Sequence, residues 1–130
     1  MLFRTTKEIG DWGERYAARY LRRHGYRILD RNYHHGKYEI DVIAKGLRDI
    51  LFVEVKTRTY TPAELSTAPP PGVAVDERKQ RFTRAAAQNY LYEHPSGKRP
   101  RMDVIEVYLE KAPEGQKPRV LALHHIKAAY

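Results

Sequence analysis

Residues 39–44 read EIDVIA and residues 49–58 read DILFVEVKTR, with the turn-forming KGLRD joining them. Alternate residues of a strand face opposite sides of a sheet. Ile40, Val42 and Ala44 therefore share one face, as do Leu51, Val53 and Val55. The two apolar sets must lie together on a core, because a slip of one residue would bury acids and expose valines. That pairing drives Asp41, Glu54 and Lys56 onto the opposite, common face, beside Glu39. With residues 46–49 as the loop, Ala44 falls opposite Leu51 and Asp41 opposite Glu54.

Carboxylates opposed across a strand pair have Cβ atoms about 4.5–5.5 Å apart and repel. Such a pair calls for a cation. Lys56 supplies part of it, and a divalent ion is the stronger solution. Mg²⁺ (or Mn²⁺) suits one or two carboxylates completed by water and phosphate oxygens. An ion so held activates water and stabilises the leaving oxygen in phosphodiester cleavage. Asp41 and Glu54 are the candidate metal ligands, and Lys56 the group that holds the water or offsets phosphate charge. Antiparallel strands also carry Glu and Lys on an ordinary wet face. Ile43 and Phe52 on this same face nonetheless require a cover.

The remaining chain reads as one α/β domain spanning residues 1–130, with the order α-β-β-β-α-β-β. An apolar stripe of Ile9, Gly13, Tyr16, Ala17, Tyr20 and Leu21 predicts a helix over 6–24, with Thr6 as its cap and Gly25 as its stop. Gly10 and Gly13 inside it allow another segment to approach closely. Strands are expected over 26–33, 101–109 and 119–126, with turns at 34–37 and 111–118. Residues 59–75 hold four prolines and read as a mobile loop. Asp76 caps a second helix running to about residue 93, with Phe82, Ala86 and Tyr90 on its inner face.

Composition sets the partner class. The 130 residues carry a formal net charge of +8 and no cysteine, which excludes a disulfide framework and thiolate metal sites. A basic chain suits a polyanion, and nucleic acid is the polyanion expected, beside the ordinary case of a basic soluble protein. Arg78, Lys79, Arg81 and Arg84 open the second helix as a phosphate-facing set, with Lys79 nearest the core or the cleft. Arg19, Arg22, Arg23, Arg27 and Arg31 form a second basic group, and Tyr33, Tyr38 and Tyr60 are candidates for base stacking. The chain shows no apolar run fit to cross a bilayer and no secretory leader, so no membrane partner and a cytoplasmic location are expected. The paired histidines, His34 with His35 and His124 with His125, lack metal-ligand spacing. Asp103 is expected to pair with an arginine such as Arg101.

Several stretches, taken together, resemble a known family: GDWGERYAARYLRRHGYRILDRNY, EIDVIA, FVEVKTR, ERKQRFTRAAAQNYL and RMDVIEV. They are similar to the YraN-like family of small bacterial proteins, regarded as endonucleases. More widely the chain resembles archaeal Holliday-junction resolvases within the PD-(D/E)XK nuclease superfamily. The resemblance implies a restriction-endonuclease-like αβββαβ core, a mixed central sheet flanked by helices. It carries over Asp41 as the motif aspartate, Glu54 as the second acid and Lys56 as the motif lysine. Glu14 matches a helical acid that completes many such sites, and no basic residue follows it one turn on. Glu39 falls in the family's Gly-Glu-Ile-Asp stretch, although Tyr38 replaces the glycine here. A Phe-Gly pair usual after the second strand is replaced by the proline-rich segment.

The expected activity is metal-dependent hydrolysis of DNA, branched or otherwise structured, with a two-fold homodimer by analogy with resolvases. Two other readings stay open: a nucleic-acid-binding module with a vestigial nuclease site, and a small adaptor for other proteins.

Overall fold

The structure, a computed structural model, describes residues 5–71, 75–112 and 115–130. Helix α1 (Thr6–Arg23) buries Gly13, Ala17 and Leu21 of the expected stripe together with Ala18, while Ile9, Tyr16 and Tyr20 of that stripe pack partly buried against the core. Its cap is Thr5, one residue before Thr6: the Thr5 side chain accepts from the Glu8 N–H at 3.2 Å. Gly25, at φ +89°, takes the left-handed turn that ends the helix.

Five strands follow: β1 (Arg27–His35), β2 (Tyr38–Lys45), β3 (Asp49–Tyr60), β4 (Arg99–Glu110) and β5 (Val120–Ile126). They form one mixed sheet in sequence order, antiparallel except for the parallel β3–β4 pair. A parallel neighbour demands a crossover, and α3 (Glu77–Glu93), capped by Asp76 as expected, lies within it. This is a mixed α/β architecture consistent with a restriction-endonuclease-like core.

The 59–75 segment differs from its reading as a loop. β3 continues to Tyr60, and a short helix α2 (Pro62–Leu65) follows. Thr61 and Glu64 form a reciprocal capping box around Pro62, a helix-start signal hidden in a run of prolines. Glu64 also meets Lys111 at 3.0 Å. Residues 72–74 of this segment, and 113–114 of the 111–118 turn, lie outside the described residues.

Each side of the sheet has its own apolar layer. Towards α1, Val42, Ala44, Leu51, Val53, Ile105, Val107 and Leu109 pack with Ala17 and Leu21. Towards α3, Ile43, Ile50, Phe52 and Met102 pack with Ala86, Ala87 and Tyr90. Phe52 and Ile43 thus gain the cover that the strand pattern required. Gly13 is the close approach between α1 and β3: a Cβ there would collide with the Thr57 side chain, whereas Gly10 faces open space.

Arg101 binds Asp103 through two bonds of 2.8 and 2.9 Å, as expected. His125 Nε2 adds a contact of 2.7 Å to Asp103 and is buried beside it. Burial works to raise the Asp103 pKa, but His125, Arg101 and the Ala128 N–H together hold it below the usual carboxylate range. This cluster is structural. No helix among the described residues is long and apolar enough to cross a membrane.

Candidate active site

The β2–β3 ladder has the expected register, with Ala44 opposite Leu51 and Val42 opposite Val53. Its last paired residues are Val42 and Val53, so Asp41 and Glu54 stand just beyond it, where the strands part. In place of the next rung, Asp41 Oδ2 accepts from the Val55 N–H at 2.8 Å. Strand alternation slips here too. Ile40, expected to share a face with Val42 and Ala44, packs instead in the α3-side layer. On the neighbouring β1, Asn32 adopts φ 54° between the pairs Arg31–Val42 and Tyr33–Ile40. A left-handed residue thus sits on β1 beside Asp41, at the position where the face of β2 changes.

A cleft of about 470 Å³ opens at this point. Asp41, Glu39 and Glu54 line it from the sheet, and Arg78, Lys79 and Phe82 line it from α3. Tyr38 stacks on Phe82 with ring centroids 4.3 Å apart, and Arg78 lies over the same Phe82 ring at 5.3 Å. Tyr130 forms a further wall, its hydroxyl hydrogen-bonded to Thr83 Oγ1 at 2.5 Å.

The acids perturb one another. Burial, chiefly, and then the charges of Glu39 and Glu54 push the Asp41 pKa up to about 6, against the opposing Val55 N–H. Burial, followed by the charge of Asp41, pushes Glu14 up to about 7. Glu14 approaches from α1 and has its basic neighbour outside the helix: Arg31 lies 4.0 Å away. The Asn32 amide, oriented to satisfy both acids, donates to Glu14 Oε1 at 2.8 Å and Glu39 Oε1 at 2.9 Å. Asn32 thus ties together Glu14 and Glu39, two acids from separate elements.

The cation facing Glu54 is Lys79 from α3, whose Nζ lies 2.6 Å from Oε1. Burial works against the Lys79 ammonium, but the hydrogen bond and charge of Glu54 prevail and raise its pKa. The other oxygen, Glu54 Oε2, is buried without a hydrogen-bond partner. Lys56 is half-buried, stands opposite Glu106 in the β3–β4 register and is absent from the cleft wall. Arg81 and Arg84 lie exposed on α3, with Arg84 over the Tyr130 ring at 5.5 Å. Of the stacking candidates, Tyr38 reaches the cleft. Tyr33 donates to Glu93 at 2.6 Å, and Tyr60 packs edge-on against Tyr108.

The model of the uncharacterised protein family UPF0102 matches residues 13–107, which include Glu14, Asp41, Glu54, Lys56 and Lys79. The chain belongs to the UPF0102 family. This is the YraN-like family that the sequence resembles. A UPF0102 protein of Caldanaerobacter subterraneus is 41% identical over 125 residues, covering 95% of both chains. One of Geobacter metallireducens is 38% identical over 125 residues, covering 95% of this chain and 93% of its own. A third, from Syntrophotalea carbinolica, is 45% identical over 100 residues, or 76% and 77% of the two chains. None of these UPF0102 names states an activity, so the function is argued from the cleft.

Asn32, Thr83 and Tyr130 are the site neighbours that sequence reasoning missed, and Arg31, read only as part of the second basic group, stands beside Glu14. Asn32 carries one faint signal, as an Asn able to adopt left-handed backbone next to a strand. Thr83 and Tyr130 carry none.

Proposed function

We propose that this protein is a divalent-metal-dependent endonuclease that hydrolyses phosphodiester bonds in DNA, with branched or otherwise structured DNA as substrate and the cytoplasm as its location. The observation that carries the reading is Glu54 Oε2, buried without a partner beside an Asp41 carboxyl pushed up to about 6. A buried carboxyl and an unpartnered carboxylate oxygen side by side are a donor set that a cation would satisfy. Among the described residues no three His, Asp or Glu side chains converge as a ready-made metal cage. Two carboxylates fit Mg²⁺ or Mn²⁺, which keep several positions for water and phosphate. Asp41 and Glu54, with a backbone carbonyl near Val55, would hold the ion. Bound there, it supplies Lewis-acid stabilisation and a more acidic water.

The chain's own groups do the rest. Lys79, about half exposed, can turn from Glu54 to a phosphate oxygen. Lys56 follows Glu54 by two residues along β3, outside the cleft wall, and its proposed role is to orient water or offset phosphate charge once DNA is bound. Glu14, with a pKa of about 7, can accept or release a proton near neutrality. Glu39 holds the Asn32 amide in place. Arg78, Arg81 and Arg84 present exposed guanidiniums to the backbone of a duplex. Symmetric cutting of a junction would engage two copies in a two-fold dimer.

One observation favours a rival, a DNA-binding module with a vestigial site. Lys79 already gives Glu54 a protein cation at 2.6 Å, leaving less need for an ion. Incubation with linear, flapped and four-way DNA separates the two readings. Cutting in Mg²⁺ or Mn²⁺ that stops in chelator supports the nuclease. Tight binding without cutting in either metal supports the module.

A further inference from the structure

A second cleft, of about 360 Å³, runs along the outer side of α1. Trp12, Tyr16, Arg19 and Arg22 lie at three- and four-residue spacing, so one helical face supplies both rings and cations. At 1.5 Å rise per residue this face extends about 15 Å from Trp12 to Arg22. Arg15 and Lys117 add charge from the flanks, and among the described residues no lining residue is acidic.

The rings are held rather than loose. Trp12 and Tyr16 pack one side against the α1-facing core. Cations cover their other approaches: Arg15 lies 5.1 Å and Lys117 5.9 Å from the Trp12 ring centre, and Arg19 lies 5.6 Å from that of Tyr16. A fixed aromatic ring flanked by guanidiniums can stack a base and bind its phosphate at once. Paired bases in a duplex do not offer their faces, so the chemistry selects unpaired ones.

The cleft also leads somewhere. Arg31 lines its inner end and lies 4.0 Å from Glu14, whose raised pKa owes part to the charge of Asp41. Arg31 Nε is itself buried without a hydrogen-bond partner. Arg31 thus links the basic cleft on α1 to Glu14, and the Asn32 amide links Glu14 to Glu39 on the wall of the cleft at the β2–β3 split.

We infer that the α1 cleft binds a single-stranded arm of the DNA substrate, stacking bases on Trp12 and Tyr16 while Arg15, Arg19 and Arg22 hold its phosphates. The inference rests on the nuclease reading and narrows it to DNA whose duplex ends in an unpaired arm near the cut. A base entering the cleft exchanges ring–cation contacts for ring–base stacking and frees the guanidiniums for phosphate.

Trp12 is the single tryptophan of the chain, so fluorescence excited at the red edge of tryptophan absorption, where the ten tyrosines do not absorb, reports this cleft. The test adds a short oligothymidylate, in chelator, to the full-length protein while anisotropy of the labelled strand follows binding. Saturable quenching that tracks binding, with little quenching by a duplex of equal length, is the expected result. Trp12→Ala should weaken affinity on the order of ten-fold and Trp12→Phe should restore most of it. Because Trp12 also packs on the core, a surface variant provides a second check. Arg19→Ala with Arg22→Ala should flatten the salt dependence of log affinity by roughly one and a half units. Binding without quenching, equal quenching by duplex, or no binding at all would overturn the inference. Catalysis enters none of these readouts. Quenching with no cleavage under any metal would sink the nuclease and leave the cleft; cleavage with Trp12 unquenched would do the reverse.

Discussion

The carboxylate of Asp41 accepts the Val55 N–H at 2.8 Å just past the last β2–β3 pair, so a side chain takes the place of a backbone rung. The same group is an acid under strain, its pKa pushed up to about 6 by burial and then by Glu39 and Glu54. Asn in its place keeps an acceptor for Val55 and removes the charge. In chelator at pH 8, Asp41→Asn should therefore stabilise the fold by about 1–2 kcal/mol. Asp41→Ala removes the acceptor as well and should fall below Asp41→Asn by about 1–3 kcal/mol, the cost of an unpaired buried N–H. Denaturant melts of the three proteins decide it; equal stability of the Asn and Ala variants would show that the Asp41–Val55 bond does not hold the split.

Metal-free stability should fall as pH rises through neutrality. Glu14 moves from 4.5 to about 7 on folding and Asp41 from 3.8 to about 6, so the folded chain binds more protons between those limits. The stability they contribute is complete below their unfolded pKa values and is lost as pH rises through about 6 and 7. Asp103 and Glu64, whose pKa values are lowered, act in the opposite sense and lose their contribution as pH falls into the acid range. A maximum near pH 5 is expected, with a loss of roughly 1–3 kcal/mol by pH 8 in chelator. Glu14→Gln should flatten the descending limb. A wild-type curve level from pH 5 to pH 8 would contradict the electrostatic account of this site.

Two glycines in α1 should respond in opposite directions to alanine. Gly10 meets open space, so Gly10→Ala gains helix propensity and should stabilise by about 0.5–1 kcal/mol. Gly13 faces the Thr57 side chain, and Gly13→Ala should cost roughly 1–3 kcal/mol by overpacking. Adding Thr57→Ala should recover part of that loss. Thermal melts of the singles and the double mutant give the coupling directly.

Lys79 and a divalent ion should compete for Glu54. With Glu54 only 10% exposed at its side chain, Lys79→Met strips a buried carboxylate of its cation. The metal-free variant should lose about 1–3 kcal/mol, while Mn²⁺ should raise its melting temperature more than it raises that of the wild type. An Mn²⁺ effect that is the same in both proteins would place the ion elsewhere.

Much of this site can be read in the chain because two strands and a short loop leave a single register. Val42 with Val53 and Ala44 with Leu51 pair as the apolar alternation requires, and Asp41 and Glu54 follow from that. The end of the ladder is not readable, since no local pattern marks Val42 and Val53 as its last pair. The choice of Lys79 over Lys56 as the partner of Glu54 is likewise tertiary. Strand alternation puts Lys56 near Glu54, but only the docking of α3 across the sheet brings Lys79 to 2.6 Å. Tyr130 reaches the cleft through the turn after β5, which no local pattern announces. The α2 helix was legible in principle: Thr61 and Glu64 form a capping box at standard spacing, and the prolines around it mask the signal.

The most direct measurement of the central claim is cleavage of flapped and four-way DNA in Mn²⁺ by the wild type, Glu54→Ala and Lys56→Ala, run beside a salt titration of DNA affinity for each. The account expects metal-dependent cutting by the wild type and none by either variant, with affinity nearly unchanged for Lys56→Ala and unchanged or tighter for Glu54→Ala, which removes a negative charge beside the phosphate. Cutting that survives both substitutions would contradict it and place the active site away from the β2–β3 split.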